Sequence, residues 1–365
     1  MKTLYDVEND SIFNKLHPYH ECPIVTAGSI YRNPAEIDVS VIIPCYNAET
    51  FLPSCIESLA SQQTRYTYEV ILVNDGSTDG TKDILEDAAS RYAPFHCIHQ
   101  VNQGAGAARN RGMSEARGEY LIFVDADDIV SVNYVDALVD CVKTTGADLG
   151  ACAYYAFKEN GATYKKVEWP KTITTGNLNG TPWGKIYHRK LFDRLLWPSG
   201  YWHQDTILAF LVFPRVKKLA STNKCTYGYR SNAQNITNSS RKSNKALDTL
   251  YISSLVLSQM KALGVEDWLY TLEGHDRLVN QFYLNSCRIR HLPEECTSEL
   301  FRLQSEFYHA MKHHAGGKHR YDSPLYARAL RKSDLAMAKR AVKLVNVNKA
   351  LHIASTRAAM LLRRG

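Results

Sequence analysis

The sequence has no CxxC pair, no apolar run of transmembrane length and no internal repeat. A membrane-spanning helix needs about 20 consecutive apolar residues, so no bilayer span is expected. The opening stretch, MKTLYDVENDSIFNKLHPYH, places acids where a secretory signal needs an apolar core, and secretion is not expected. Nine cysteines without paired spacing suit reduced thiols in a cytosol better than a disulfide framework or a zinc site. The N-x-S/T matches at Asn9, Asn179, Asn235 and Asn238 are then fortuitous. Acidic residues are nearly missing from one segment: residues 331–365 carry nine Lys/Arg against Asp334 alone, so the rest of a chain of net charge +7 is close to neutral. A basic arm on a neutral body argues against a nucleic-acid partner. What remains is ordinary globular material, 365 residues at 45% hydrophobic and 22% charged, enough for one large or two modest domains.

From residue 38 short β-branched runs alternate with helical spacing. Val39 to Ile43 reads as a strand ending at Pro44, and Leu52, Ile56 and Leu59 mark a helix over 51–61 in which Pro53 fits the first turn. Val70–Val73 is a second strand, followed by Asn74-Asp75-Gly76-Ser77-Thr78-Asp79-Gly80, where Ser77 or Thr78 can cap a helix carrying Ile84, Leu85 and Ala88. His96–Gln100 is a weaker third strand before the Ala-rich helix 105–116, and Tyr120–Val124 is the fourth. Strands joined by helical crossovers imply an α/β fold, a Rossmann-like and mostly parallel sheet flanked by helices. Ligands of such sheets bind beyond the carboxyl ends of the strands, where Tyr46-Asn47, Asp75 and Asp125-Ala126-Asp127-Asp128 all fall.

The last of these is the most informative. Three carboxylates at one strand end repel one another unless a cation, most simply a hard divalent metal, offsets them, and such a metal fills its sphere with water and phosphate oxygens. The competing role for Asp128 is a helix cap. A dinucleotide fold is disfavoured: Gly104-Ala105-Gly106-Ala107-Ala108-Arg109 follows the third strand rather than the first and has Arg109 where close packing needs glycine. Arg109 at a helix start reads as an anion contact or as a solvated charge.

Together VIIPCYN (41–47), EVILVNDGSTDGT (69–81), NQGAGAARNRG (102–112), GEYLIFVDADD (118–128), WGKIY (183–187) and Gln204-Asp205 resemble glycosyltransferase family 2, inverting enzymes of the GT-A fold. The resemblance covers about residues 38–240. It implies a catalytic domain there and leaves uncovered an N-terminal extension over 1–37 and the region 241–365, which the spacing of Leu247, Leu250, Leu255 and Leu257 marks as mainly helical, with a basic tail, 331–365. It also implies metal-dependent transfer, with Mg2+ or Mn2+, from a nucleotide-diphosphate donor such as a UDP-sugar to a saccharide or lipid-linked saccharide acceptor in surface polysaccharide synthesis. By position, Pro44, Tyr46 and Asn47 would line the base pocket, and Asp75 would accept a hydrogen bond from uracil. Asp125 would lie near the ribose, Asp127 on the metal, and Arg109 and Lys185 near the diphosphate. Asp205 would be the catalytic base, or else a helix N-cap. Gln204 stands where the family usually has Glu, so a second reading is a protein of this fold that binds sugar nucleotides, or serves as a scaffold, without turnover.

Basic and apolar residues interleave in the tail, from Leu335 and Ala338 to Met360–Leu362, which suits either an anionic membrane surface, with the protein peripheral on the inner face of the cell membrane, or a helix packed on the body. Trp183, Tyr201 and Trp202 suit stacking on acceptor sugars or the core. His309 and His313 have i, i+4 spacing, but no adjacent carboxylate completes a metal motif.

Overall fold

The computed structural model describes residues 11–22, 24–26, 28, 30, 36–232, 243–314 and 325–347. Glu21–Asn235 form one compact unit, and the residues before Glu21 and after Asn235 form a second. The short helix α1 (Ser11–Leu16) belongs to the second, where the Tyr251 hydroxyl donates to the His17 carbonyl oxygen at 2.5 Å. Residues 11–20 are thus part of the helical unit rather than a separate extension.

The larger unit is built on one sheet. Its first half alternates strand and helix as expected: β1 (Ile37–Cys45), α2 (Leu52–Ala60), β2 (Tyr68–Asp75), α3 (Thr81–Arg91), β3 (Phe95–Gln100), α4 (Ala105–Glu115) and β4 (Gly118–Phe123). These four strands lie in the order β3–β2–β1–β4 and every pairing is parallel. The chain continues through β5 (Ile129–Val130), α5 (Tyr134–Lys143), β6 (Leu149–Lys158), β7 (Thr163–Val167), β8 (Lys185–His188) and β9 (Leu219–Ser231). β8 pairs antiparallel with β4 and carries the sheet on through β6, β9 and β5.

Helices cover both faces because the strands are apolar on both. Val39, Val41, Ile43 and Cys45 pack with Leu52, Ile56, Leu85 and Leu138 in one buried cluster. On the opposite face Ile42 lies against α4 so closely that a Cβ on Gly112 would sit 2.5 Å from its Cγ2. Pro44 is tolerated in a central strand because β1 pairs with β4 only as far as Ile42. At the far end of the sheet Glu69, buried, ties three strands: it accepts from Ser40 Oγ (2.6 Å), Arg117 N (2.8 Å) and Arg117 Nε (2.9 Å), and Ser40 Oγ accepts from Gly118 N (2.8 Å).

The second unit is helical: α6 (Asp248–Ala262), α7 (Leu272–Ile289), α8 (Glu294–His314), α9 (Leu325–Lys332) and α10 (Leu335–Val347). A buried polar set fixes α6 on α7. Thr249 Oγ1 donates to Asn285 Oδ1 (2.7 Å), and Asn285 Nδ2 donates to Ser253 Oγ (3.0 Å). No helix among the described residues is long and apolar enough to cross a membrane. His309 Nε2 lies 3.3 Å from Ser333 Oγ, and the His313 side chain lies outside the described residues, as do Asn235, Asn238 and the tail beyond Val347.

Candidate active site

The loops after β1 and β2 are held together by side chains acting as caps. Asn47, in the left-handed region at φ 47°, accepts from Thr78 N (2.8 Å), and its own N–H donates to Ser77 Oγ (3.1 Å). Ser77 and Thr78 therefore bridge the two loops instead of capping α3, and Asp79 Oδ1 takes the Thr81 N–H at the start of that helix (3.1 Å). The bridging leaves the Tyr46 side chain 52% exposed, a face available to a planar ligand. Asp75 is buried, and its carboxylate accepts from Gln100 Nε2 (2.8 Å), Gln103 N (2.9 Å) and Gly104 N (2.8 Å). A carboxylate offers about four acceptor positions, so about one remains for a ligand. Asp75 thereby anchors the turn into α4, which Gly104 makes at φ 86°.

At the end of β4 the three carboxylates have three different environments. Asp125 pairs with Arg109 (Nη2–Oδ1 3.0 Å), and the guanidinium is buried over the Trp197 ring, 5.0 Å from its centroid. Arg109 is neither a solvated charge nor a bare anion contact; it neutralises Asp125 from beneath. Asp128 is fully buried and accepts from the Tyr227 hydroxyl (2.5 Å) and from Arg230 N (2.7 Å). Burial, followed by the neighbouring Asp127 and Asp125 charges, raises its carboxyl well above the usual range. Asp128 caps no helix: it joins the acidic loop to β9. Asp127 is pushed up to about 6 by burial and by Asp125, and its Oδ2 accepts from Asn232 Nδ2 at 2.7 Å. Arg230 Nε donates to the Asp127 carbonyl oxygen (2.7 Å), while the same guanidinium lies over Phe51 and Phe157.

The sequence thus sets the carboxylates side by side, and the fold separates their roles by burying one under two hydrogen bonds and pairing another with a guanidinium. Tyr227, Arg230 and Asn232, all on or just after β9, escape sequence reasoning. Their signal is the alternation Tyr227-Gly228-Tyr229-Arg230, but Asn232 opens a polar stretch that reads as a boundary.

Among the described residues no group of three or more acids, histidines or cysteines forms a closed metal site. The donor set nevertheless fits a magnesium-type ion. One carboxylate oriented by Asn232, with its second oxygen left for coordination, suits an ion that takes most of its ligands from water and phosphate.

Lys185 is held elsewhere. Its buried ammonium donates to Asn179 Oδ1 (2.6 Å), to the Thr181 carbonyl (2.8 Å) and to the Trp183 carbonyl (3.3 Å), so it fastens the 179–183 loop rather than a diphosphate. Trp183 stacks on Tyr227 with ring centroids 4.8 Å apart and 3° between planes, and Tyr201 is buried, so both belong to the core rather than to a sugar platform.

Asp205 lies half-buried in the turn 202–205, ahead of a π-helical segment, Leu208–Val212, with His203 in the left-handed region at φ 59°. This turn is tied to the acidic loop through α4. Asn110 exchanges two hydrogen bonds with the Trp197 backbone (2.8 and 2.9 Å). A Cβ on Gly106 would meet Pro198 O at 2.1 Å and Gln204 Oε1 at 2.2 Å. Gly106 is therefore required for the loop bearing Asp205 to approach the helix bearing Arg109.

Residues 40–201 match the family model described as glycosyl transferase family 2. They form a family 2 glycosyltransferase domain. The chain is 38% identical over 176 residues to a putative glycosyltransferase, EpsH, of Bacillus subtilis, a match covering 44% of this chain and 50% of the relative. It is 41% identical over 95 residues to a poly(ribitol-phosphate) beta-glucosyltransferase of Bacillus spizizenii, covering 25% of this chain and 15% of that one. The chain thus spans half or less of the length of both relatives. The crystal structure of S. aureus TarS 1–349 in complex with UDP-GlcNAc superimposes with a TM-score of 0.53 at 18% identity, covering 85% of this chain and 92% of that one. The fold is accordingly that of the GT-A glycosyltransferases, as expected. The family match carries its acidic motif just after β4 and ends at residue 201, ahead of Gln204-Asp205.

Proposed function

We propose that the chain is a metal-dependent inverting glycosyltransferase that moves a sugar from a nucleotide diphosphate, a UDP-sugar first, to a saccharide or lipid-linked saccharide acceptor in the synthesis of a surface polysaccharide. The observation that carries this reading is the division of labour at the end of β4. Asp125 is paired with Arg109 through Oδ1, both Asp128 oxygens accept hydrogen bonds from β9, and Asp127, oriented by Asn232 through Oδ2, offers its second oxygen to a cation. The complex of TarS with UDP-GlcNAc supports a UDP-sugar as the first donor to try, and the name of the B. spizizenii relative supports a cell-surface polymer as acceptor.

Tyr46, Asn47 and Pro44 would then border the base, with Asp75 offering its remaining acceptor position. Asp125 would face the ribose, its charge held by Arg109, and Asp127 would hold Mg2+ or Mn2+. A divalent cation there supplies the positive charge that a departing diphosphate needs. Asp205 would take the proton of the attacking acceptor hydroxyl on the opposite face of the sugar, a contribution on the order of 10²–10⁴-fold. Attack from that face inverts the anomeric centre, through an oxocarbenium-like transition state of the kind met in glycoside hydrolysis. Arg109 Nε and Gln204 Oε1 are buried without protein partners, and bound substrate would satisfy such atoms. The nine cysteines are free thiols, which supports a cytoplasmic site of action, where nucleotide sugars are drawn on.

A donor panel of UDP-, GDP- and TDP-sugars, scored for hydrolysis or transfer with Mg2+, with Mn2+ and with chelator, tests this. Turnover of one donor class that chelator removes is expected. Binding of a donor without turnover under any condition would favour the non-catalytic reading.

A further inference from the structure

The helical unit carries a face on which exposed cations gather. On α9, Arg328, Arg331 and Lys332 stand at i, i+3 and i+4, and all three are exposed, as is Arg340 on α10. Tyr326, Ala327, Ala329 and Leu330 of α9 and Ala338 and Ala341 of α10 are buried, so these cations occupy the outward side of a helix pair packed by its other side. The one acid between residues 325 and 347 is Asp334, and its carboxylate accepts the Met337 N–H (2.9 Å) at the start of α10.

Several exposed cations elsewhere have an acid at ion-pair distance. Arg91 pairs with Asp87, Arg111 with Glu115, Lys166 with Glu168, and Arg302 with both Glu299 and Glu306. Among the described residues no acid lies at ion-pair distance from Arg328, Arg331, Lys332 or Arg340; only Lys339, at the edge of this face, has one, Glu294 at 2.5 Å. Like charges gathered without acids repel one another, and an external anion relieves the repulsion.

Two features select the kind of anion. Leu335, Met337 and Val342, half-buried, border the cations, so apolar groups lie beside the charges. No aromatic side chain is exposed on α9 or on the described side chains of α10, whereas proteins that hold single-stranded nucleic acid stack bases on aromatics. A bilayer surface offers phosphates to the cations and the acyl boundary to the flanking apolar groups.

We propose that the exposed face of α9 and α10 is a docking surface for an anionic lipid bilayer. The sequence after Val347 adds Lys349, Arg357, Arg363 and Arg364 and no acid, which extends the same charge along the chain. The inference rests on the charge of these helices alone and is independent of the transferase reading.

The full chain is sedimented with vesicles of phosphatidylcholine alone and of phosphatidylcholine mixed with phosphatidylglycerol. It binds the mixed vesicles selectively, and less tightly as salt is raised. The variant Arg328→Gln/Arg331→Gln/Lys332→Gln/Arg340→Gln, whose changes are all exposed, keeps its melting temperature and its donor turnover while its affinity for the mixed vesicles falls by on the order of 10³-fold. Equal binding to both vesicle types, unchanged binding by this variant, or loss of binding confined to a variant of the residues after Val347 would overturn the proposal. So would an RNA oligonucleotide that binds more tightly than the mixed vesicles.

Discussion

Asp127 and Asp205 are asked to do different things, and substitution separates them. Asp127→Ala is expected to abolish transfer together with metal-dependent donor binding, because it removes the carboxylate that Asn232 orients and to which the ion is assigned, while Asp125 is already paired with Arg109 and Asp128 is buried. Acidity is the second probe. Asp127 is pushed up to about 6, so it is protonated more readily in the folded chain than in the unfolded one. In the metal-free protein it therefore favours folding below the ordinary carboxylate range, near pH 4, and that contribution is lost as pH rises through 6. Cation binding has the opposite sign: metal-dependent nucleotide affinity should be level above pH 6 and fall by about tenfold per unit below it, as a titration from pH 5 to pH 8 would show. An affinity that stays level down to pH 5 would mean that Asp127 is not the ligand. The position of these acids after a strand was legible in the sequence; their unequal environments were not. Asp128 meets Tyr227 across 99 residues of chain, and nothing local to either residue announces the contact.

At the scale of elements, two junctions carry the site. The first joins α4 to the loop around Pro198. Gly106→Ala places a methyl group 2.1 Å from a backbone oxygen, so it should destabilise the fold by about 2 kcal/mol in urea titrations and, through displacement of the Asp205 turn, lower kcat more than it weakens donor binding. The second joins β9 to the acidic loop. Arg230→Ala removes the donor to the Asp127 carbonyl and should weaken metal-dependent donor binding while sparing the sheet; binding equal to that of the parent would remove Arg230 from the site. A control lies at the other end of the strands, where Glu69→Ala strips three donors of their acceptor and should cost about 3 kcal/mol of stability without altering the kinetics of the folded fraction. The parallel half of the sheet was readable because each strand is a β-branched run followed by a helix of regular spacing. The other half was not. β6, β8 and β9 pair across long separations, the register of β6 on β9 shifts around Ala153, and Leu208–Val212 winds as a π-helix that no apolar periodicity distinguishes from an α-helix.

Across the whole molecule, the chain divides into an α/β unit with the chemistry and a helical unit with the unbalanced charge. Composition located that charge, because acids are missing from a continuous segment, but which cations face outward depends on the packing of α9 and α10. At the end of β4 Asp125 is paired at short range with Arg109 and Asp128 is buried, whereas the cations of α9 and α10 are exposed, so salt should perturb vesicle binding far more than donor binding. The claim on which the account turns is that holding the leaving group and activating the acceptor belong to separate carboxylates. Calorimetric titration of the donor nucleotide with Mn2+ into Asp205→Asn, paired with a transfer assay on the same preparation, tests it most directly. Binding within about twofold of the parent with transfer reduced by on the order of 10²-fold or more is the predicted result. Transfer at the parental rate, or donor binding lost together with transfer, would contradict it.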